Sequence, residues 1–286
     1  MNSRPSSRLT GLILGLSSVS LVMAQGPAAP PLPEIHQLMR AVQDHQKQVE
    51  EMRENYTYTS LQTTQYIDSG GQVTKTETEE REEFFVNGHP IDRTIKKNGQ
   101  SLSAADQQKE TERLTKLVEK AQKIPYGEPL DSPAIRISRM LEIMDVRNPR
   151  RQTFRGLPTI LFDFIGRKNA DTHGLAEDAA KMLQGTIWID EADLQVAHFE
   201  VTFNDNFRVA GGLVANIDKG SSMSFDQAPV KEGLWLPTGA EAAMQARVLL
   251  FKTVHQHVVQ RDYDFKSFHV EAQQMANTPA ATAAKP

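Results

Sequence analysis

Cysteine is absent from all 286 residues. Disulfides, thiolate metal sites and a cysteine nucleophile are thereby excluded, and packing alone must stabilise the chain. Charge of one sign is also lacking: the net charge is −4 and the basic residues are scattered along the sequence. Neither a phosphate-tracking stripe nor a polybasic membrane patch is indicated, so nucleic acid is not an expected partner. No serine sits in a Gly-x-Ser-x-Gly elbow, and Gly211, Gly212 and Gly220 form neither a phosphate loop nor a dinucleotide fingerprint. The chain reads as non-catalytic, and no cofactor is expected.

What is present begins with a leader. Arg4 and Arg8 precede an apolar stretch over 9–23 broken by Gly11, Gly15 and several serines, and Val22-Met23-Ala24 supplies a small-residue cut site. This order predicts a signal peptide over 1–24, a mature start at Gln25 and a periplasmic location. The stretch is short and interrupted for a membrane anchor. Residues 25–33 form a Pro/Ala linker, 34–272 are expected to be one domain, and the Ala/Thr/Pro-rich tail over 273–286 is expected to be disordered.

Within the domain, Ile35, Leu38, Val42, Val49 and Met52 recur at helical spacing and predict an amphipathic helix over 34–55. Gly70-Gly71, Asn87-Gly88 and Asn98-Gly99 punctuate β-prone runs as hairpin turns would. Ser103 with Asp106 caps a polar helix expected to reach Lys123 as a lever or a solvent-bridging element, and Ser132-Pro133 opens an all-round apolar helix over 134–144. A strand over 159–165 and a short helix over 174–183, stopped by Gly185, come next. Strands are then predicted over 187–190, 194–203, 207–209, 223–225, 234–237 and in one long run over 243–265. Short turns between consecutive strands imply antiparallel neighbours. The fold class is α+β: a large, strongly curved antiparallel sheet, an unclosed barrel, with helices covering its concave face.

Candidate chemistry is thin. His255 and His257 share one face of a strand and could hold a metal together, but two ligands do not make a site. Asp190 with Asp193, and Asp262 with Asp264, could do acid work only inside a cleft that shifts their pKa values. Asn55-Tyr56-Thr57 fits a glycosylation acceptor of low specificity, and the charged run over 77–83 reads as a solvated strand edge. Alternation says more. Phe199, Val201 and Phe203 point one way, as do Ile160, Phe162 and Phe164, so one face of the sheet is apolar. Phe162, Phe164, Phe199, Val201, Phe203, Phe251, Met140 and Ile143 are therefore the candidate lining of an apolar ligand cavity, with a fully packed core as the plainer alternative.

The segment Gly185-Thr186-Ile187-Trp188-Ile189-Asp190, followed by the strand ending at Phe203, resembles the central signature of LolA-like outer-membrane lipoprotein-sorting proteins. Gly211-Gly212, Lys219-Gly220-Ser221, Gly233-Leu234-Trp235-Leu236-Pro237 and the strand closing near Phe268 keep the same order. The amino-terminal part, with Tyr56-Thr57-Tyr58 and Gly88-His89-Pro90-Ile91, is similar to an uncharacterised exported bacterial branch of that family. The resemblance implies a carrier of lipid or acylated lipoprotein that performs no chemistry, with Arg139 standing by position where a lid-latching arginine is expected. The alternatives are an envelope-assembly scaffold that binds proteins through its sheet and polar helix and, more distantly, a metal-assisted hydrolase built on His255 and His257.

Overall fold

A computed structural model describes residues 31–126, 128, 130, 135–231, 233–249 and 252–267. The leader and its cut, most of the linker, the tail, Phe251 and the helix start at Ser132-Pro133 lie outside the described residues. The elements run α1 (Ile35–Arg53), β1 (Tyr56–Ile67), β2 (Val73–Val86), β3 (His89–Lys97), β4 (Gln100–Ser101), α2 (Ala104–Lys123) and α3 (Ile137–Ile143). They continue with β5 (Met144–Phe154), β6 (Leu157–Gly166), α4 (Leu175–Ala180), β7 (Leu183–Asp190), β8 (Val196–Phe203) and β9 (Phe207–Val209). The last are β10 (Ala215–Ile217), β11 (Ser222–Lys231), β12 (Leu234–Val248) and β13 (Lys252–Ser267).

All 13 strands join one antiparallel sheet in the order β4-β3-β2-β1-β13-β12-β11-β8-β7-β6-β5, with β9 and β10 attached beside β12. Its ends do not meet, so the sheet is an unclosed barrel. Helix α1 touches both β12 and β5, five strands apart in that order. Neighbouring strands lie about 4.8 Å apart, so a flat sheet would hold these two roughly 24 Å from each other. The sheet therefore wraps around α1.

Several expectations need correction. The polar strand β5 was not expected; it carries three arginines and Pro149 along the sheet's end, where charge and a missing N–H deter further pairing. The apolar helix is shorter than expected, because β5 begins at Met144 and α3 spans only Ile137–Ile143. The run over 243–265 is two strands, β12 and β13, joined by a turn at Leu249 that contains no glycine, asparagine or proline to announce it. Gly185 does not stop a helix but lies inside β7, where a Cβ would come within 1.8 Å of the Glu200 carbonyl oxygen. The charged run is not an edge: β2 pairs with β1 on one side and β3 on the other, and its acids meet Arg81, Arg93, Lys96 and Lys97.

Helix α2 is capped by the Ser103 hydroxyl, which accepts from the Asp106 amide at 3.2 Å. It is not a free lever. Leu114, Leu117, Ala121 and Ile124 pack on Phe84, Val86 and Ile91. Phe85, on the opposite side of β2, faces Arg53 of α1, with the guanidinium 5.3 Å from its ring. Side chains alternate across a strand, so α1 and α2 occupy opposite faces of the sheet, and α2 does not cover the concave one.

Candidate functional site

Cross-strand partners share a face, so the register identifies the concave side residue by residue. One row runs Ile187, Phe199, Phe225, Ala240, Gln260, Gln62 and Glu79 across β7, β8, β11, β12, β13, β1 and β2. The next runs Gly185, Val201, Met223, Ala242, Val258, Thr64 and Glu77. Each row begins apolar and ends polar.

At the β5–β8 end the rows are roofed by helices. Phe162, Phe164, Phe199, Val201, Phe203, Met140 and Ile143 gather into one cluster with Leu38 and Val42 of α1, and each is at most 8% exposed. The structure brings the seven described candidate residues together, and their space is filled by one another and by α1. Two polar devices fix the roof. Glu50 of α1 accepts from the Ser138 amide at 3.0 Å, supplying the amino-terminal cap that α3 lacks on its own. Arg139 binds Glu177 at 2.9 Å, Glu142 at 2.8 Å and the Asp171 carbonyl at 2.6 Å, joining α3 to the segment around α4. A charged cleft of about 650 Å³, lined in part by Lys47, Arg136, Arg139, Glu142 and Glu177, opens beside these contacts.

The other half of the concave face has no such roof. Among the described residues no helix packs extensively on β1 or β13. There the face is a trough of small or flexible side chains, Ala240, Ala242, Met244 and Ala246 from β12 with Val254 and Val258 from β13, all half-buried. Phe225, Phe207 and Ile217 connect it to the apolar cluster. None of these trough residues was singled out from sequence, although the alternation of Ala240, Ala242, Met244 and Ala246 with Glu241, Gln245 and Arg247 was the available signal.

Toward α1 the trough becomes ionisable. Asp262 pairs across the sheet with Ser60, and Glu83 with Tyr58. Burial first, then the charges of Asp92 and Asp262, push the Glu83 carboxyl from an ordinary 4.5 up to about 7, against the pull of Arg81 and Arg53. Burial also raises Asp262, opposed by hydrogen bonds from Ser60 and Gln260 and by Arg53, and burial raises the Tyr58 phenol. The Arg53 Nε is buried without a hydrogen-bond partner, so one donor at this end is unused. Perturbed carboxyls beside an unsatisfied arginine mark a binding-site candidate on physical grounds.

The remaining candidates have structural roles. Asp190 accepts from the Ala192 and Asp193 amides at 3.0 and 2.8 Å, holding the β7–β8 turn, and Asp193 accepts from the Trp235 indole at 2.7 Å. His257 meets Glu241 at 2.6 Å and Gln65 at 3.3 Å. Among the described residues no group of three or more metal-binding side chains forms around it or elsewhere. On the convex face, His198 stacks on Phe154 and abuts Trp188, both rings 4.9 Å away, and bonds Asp226 at 2.6 Å and Glu200 at 3.2 Å. Burial disfavours its charged form, but those two hydrogen bonds outweigh it and raise its pKa.

No protein-family model matches the chain, and no curated protein matches its sequence. Among solved structures it is similar to an outer membrane lipoprotein-sorting protein domain from Vibrio parahaemolyticus, at 9% identity and a TM-score of 0.38, over 80% of this chain and 93% of that one. It is also similar to a DUF1329 family protein from Desulfovibrio piger, at 9% identity and a TM-score of 0.32, over 80% and 93% of the two chains. A third likeness is to a chain of the Pseudomonas aeruginosa MucA/MucB complex, at 10% identity and a TM-score of 0.24, over 79% and 99%. The lipoprotein-sorting resemblance seen in the sequence thus recurs among the solved structures, at a level where function must rest on this chain's own geometry.

Proposed function

We propose that this protein is an exported, non-catalytic binding protein of the cell envelope that holds an amphiphilic, acyl-bearing ligand in the unroofed half of its concave face. The carrying observation is the gradient along that trough. Small apolar side chains from Ala240 to Ala246 and at Val254 and Val258 adjoin the apolar cluster, while Arg53, Glu83 and Asp262 stand at the other end. An acyl chain gains by leaving water for the first region, about 0.8 kcal/mol per buried CH2, and a polar headgroup finds donors and acceptors in the second. Phe162, Phe164, Phe199, Val201 and Phe203 then serve as the wall behind the trough. They become ligand lining only if α1 and α3 move aside.

The test is displacement of a fluorescent fatty acid from the purified protein. One saturable site is expected, weakened about tenfold or more by Ala242→Asp, since an unpaired carboxylate would face the acyl chain. Absence of saturable binding would leave the scaffold reading. The observation favouring that reading is α2, whose outer side presents Gln108, Lys109, Glu112 and Lys116 to solvent on the opposite face of the sheet.

A further inference from the structure

One corner of the sheet reverses the usual distribution of polarity. Leu249, Leu213 and Val214 are 66%, 62% and 48% exposed. They are adjacent, because the Leu249 amide donates to the Val214 carbonyl at 3.0 Å and Ala215 pairs with Val248. Leu249 also holds a left-handed backbone, φ 49°, where asparagine or glycine would be easier. An exposed leucine retained at a strained turn position is therefore costly to both solubility and backbone.

The same corner gathers charge. Arg208 and Arg247 flank Asn216 on neighbouring strands, and Lys252 pairs across the turn with Val248. All three are exposed, and among the described residues none has an ion-pair partner, whereas the cations of β2 and β3 are paired. Scattered in sequence, these basic residues meet at one corner only in the fold, Arg208 and Arg247 on one face of the sheet and Lys252, beside Val248, on the other.

We propose that this corner docks the protein onto an anionic lipid bilayer, with Leu213, Val214 and Leu249 entering the interface and Arg208, Arg247 and Lys252 meeting headgroup phosphates. Charge complementarity favours lipid over a protein partner, as does shape. Among the described residues three exposed apolar side chains stand on turns at this sheet corner, an arrangement that suits shallow insertion. The corner lies at one end of the trough, and the proposal does not depend on the ligand reading.

The experiment is co-sedimentation of the purified protein with vesicles of phosphatidylethanolamine and phosphatidylglycerol, and with vesicles of phosphatidylcholine alone. Partition into the anionic vesicles is expected, weakening as salt rises and falling about fivefold for each of Arg208→Gln, Arg247→Gln and Lys252→Gln. The double variant Leu213→Asp/Leu249→Asp should lose about tenfold or more with unchanged circular dichroism, because both side chains are already in water in the free protein. No partition of the wild-type protein, equal partition into both vesicle types, or a double variant that binds as well as wild type would each overturn the proposal.

Discussion

Glu83→Gln removes a single ionisation from the polar end of the trough and leaves size and hydrogen-bonding capacity nearly intact. The folded protein holds this carboxyl near 7 against an ordinary 4.5. A group raised in this way binds its proton more tightly folded than unfolded, so stability is full below about 4.5 and falls as pH rises toward and past 7. By linkage, the rise from 4.5 to about 7 corresponds to a ceiling of roughly 3 kcal/mol at pH 8, and residual solvent access reduces it to about 1–3 kcal/mol. Urea unfolding of both proteins at pH 4 and pH 8 provides the assay. The variant should match wild type at pH 4 and exceed it at pH 8. An equal offset at both values, or a variant less stable at pH 8, would refute the claim that Glu83 is a destabilised, half-buried carboxylate.

Phe199→Ala should lower stability by about 3–5 kcal/mol in urea, as expected for a packed aromatic, since Phe199 is 6% exposed beneath α1 and α3. Gly185→Ala should cost about 1–3 kcal/mol or prevent folding, because its methyl would collide with the Glu200 carbonyl; a neutral result in thermal unfolding would contradict the close β7–β8 approach. His198 has a raised folded pKa, so its stabilisation is complete below about 6.5 and lost as pH rises through the folded value. The stability gap between wild type and His198→Gln should therefore narrow from pH 6 to pH 9, as measured by chemical denaturation.

How much the sequence disclosed depended on how locally each feature is encoded. The glycine-bearing turns at Gly70-Gly71, Asn87-Gly88 and Asn98-Gly99 were legible because Gly71 and both Asn-Gly pairs hold positive φ angles that glycine and asparagine tolerate. The alternating aromatics of β6 and β8 were legible for the same reason, as a period of two within one strand. The turn at Leu249 was hidden because its residues follow an apolar rather than a turn pattern, and β5 because an edge strand need not alternate. The trough escaped notice for a different reason: Ala242, Val258 and Thr64 are unremarkable singly and form a surface only once the register sets them side by side. The cluster of Arg53, Glu83 and Asp262 likewise joins residues from α1, β2 and β13 that no spacing rule connects.

The central claim is that an amphiphile lies in the unroofed trough and not within the packed cluster. Titration of the protein, isotope-labelled at methyl groups, with a spin-labelled fatty acid tests this directly. Saturable broadening confined to the methyls of Ala242, Met244, Ala246, Val254 and Val258 is predicted, with Leu38, Val42 and Ile143 unaffected. Broadening of Leu38, Val42 and Ile143 instead, or of no methyl at all, would contradict it.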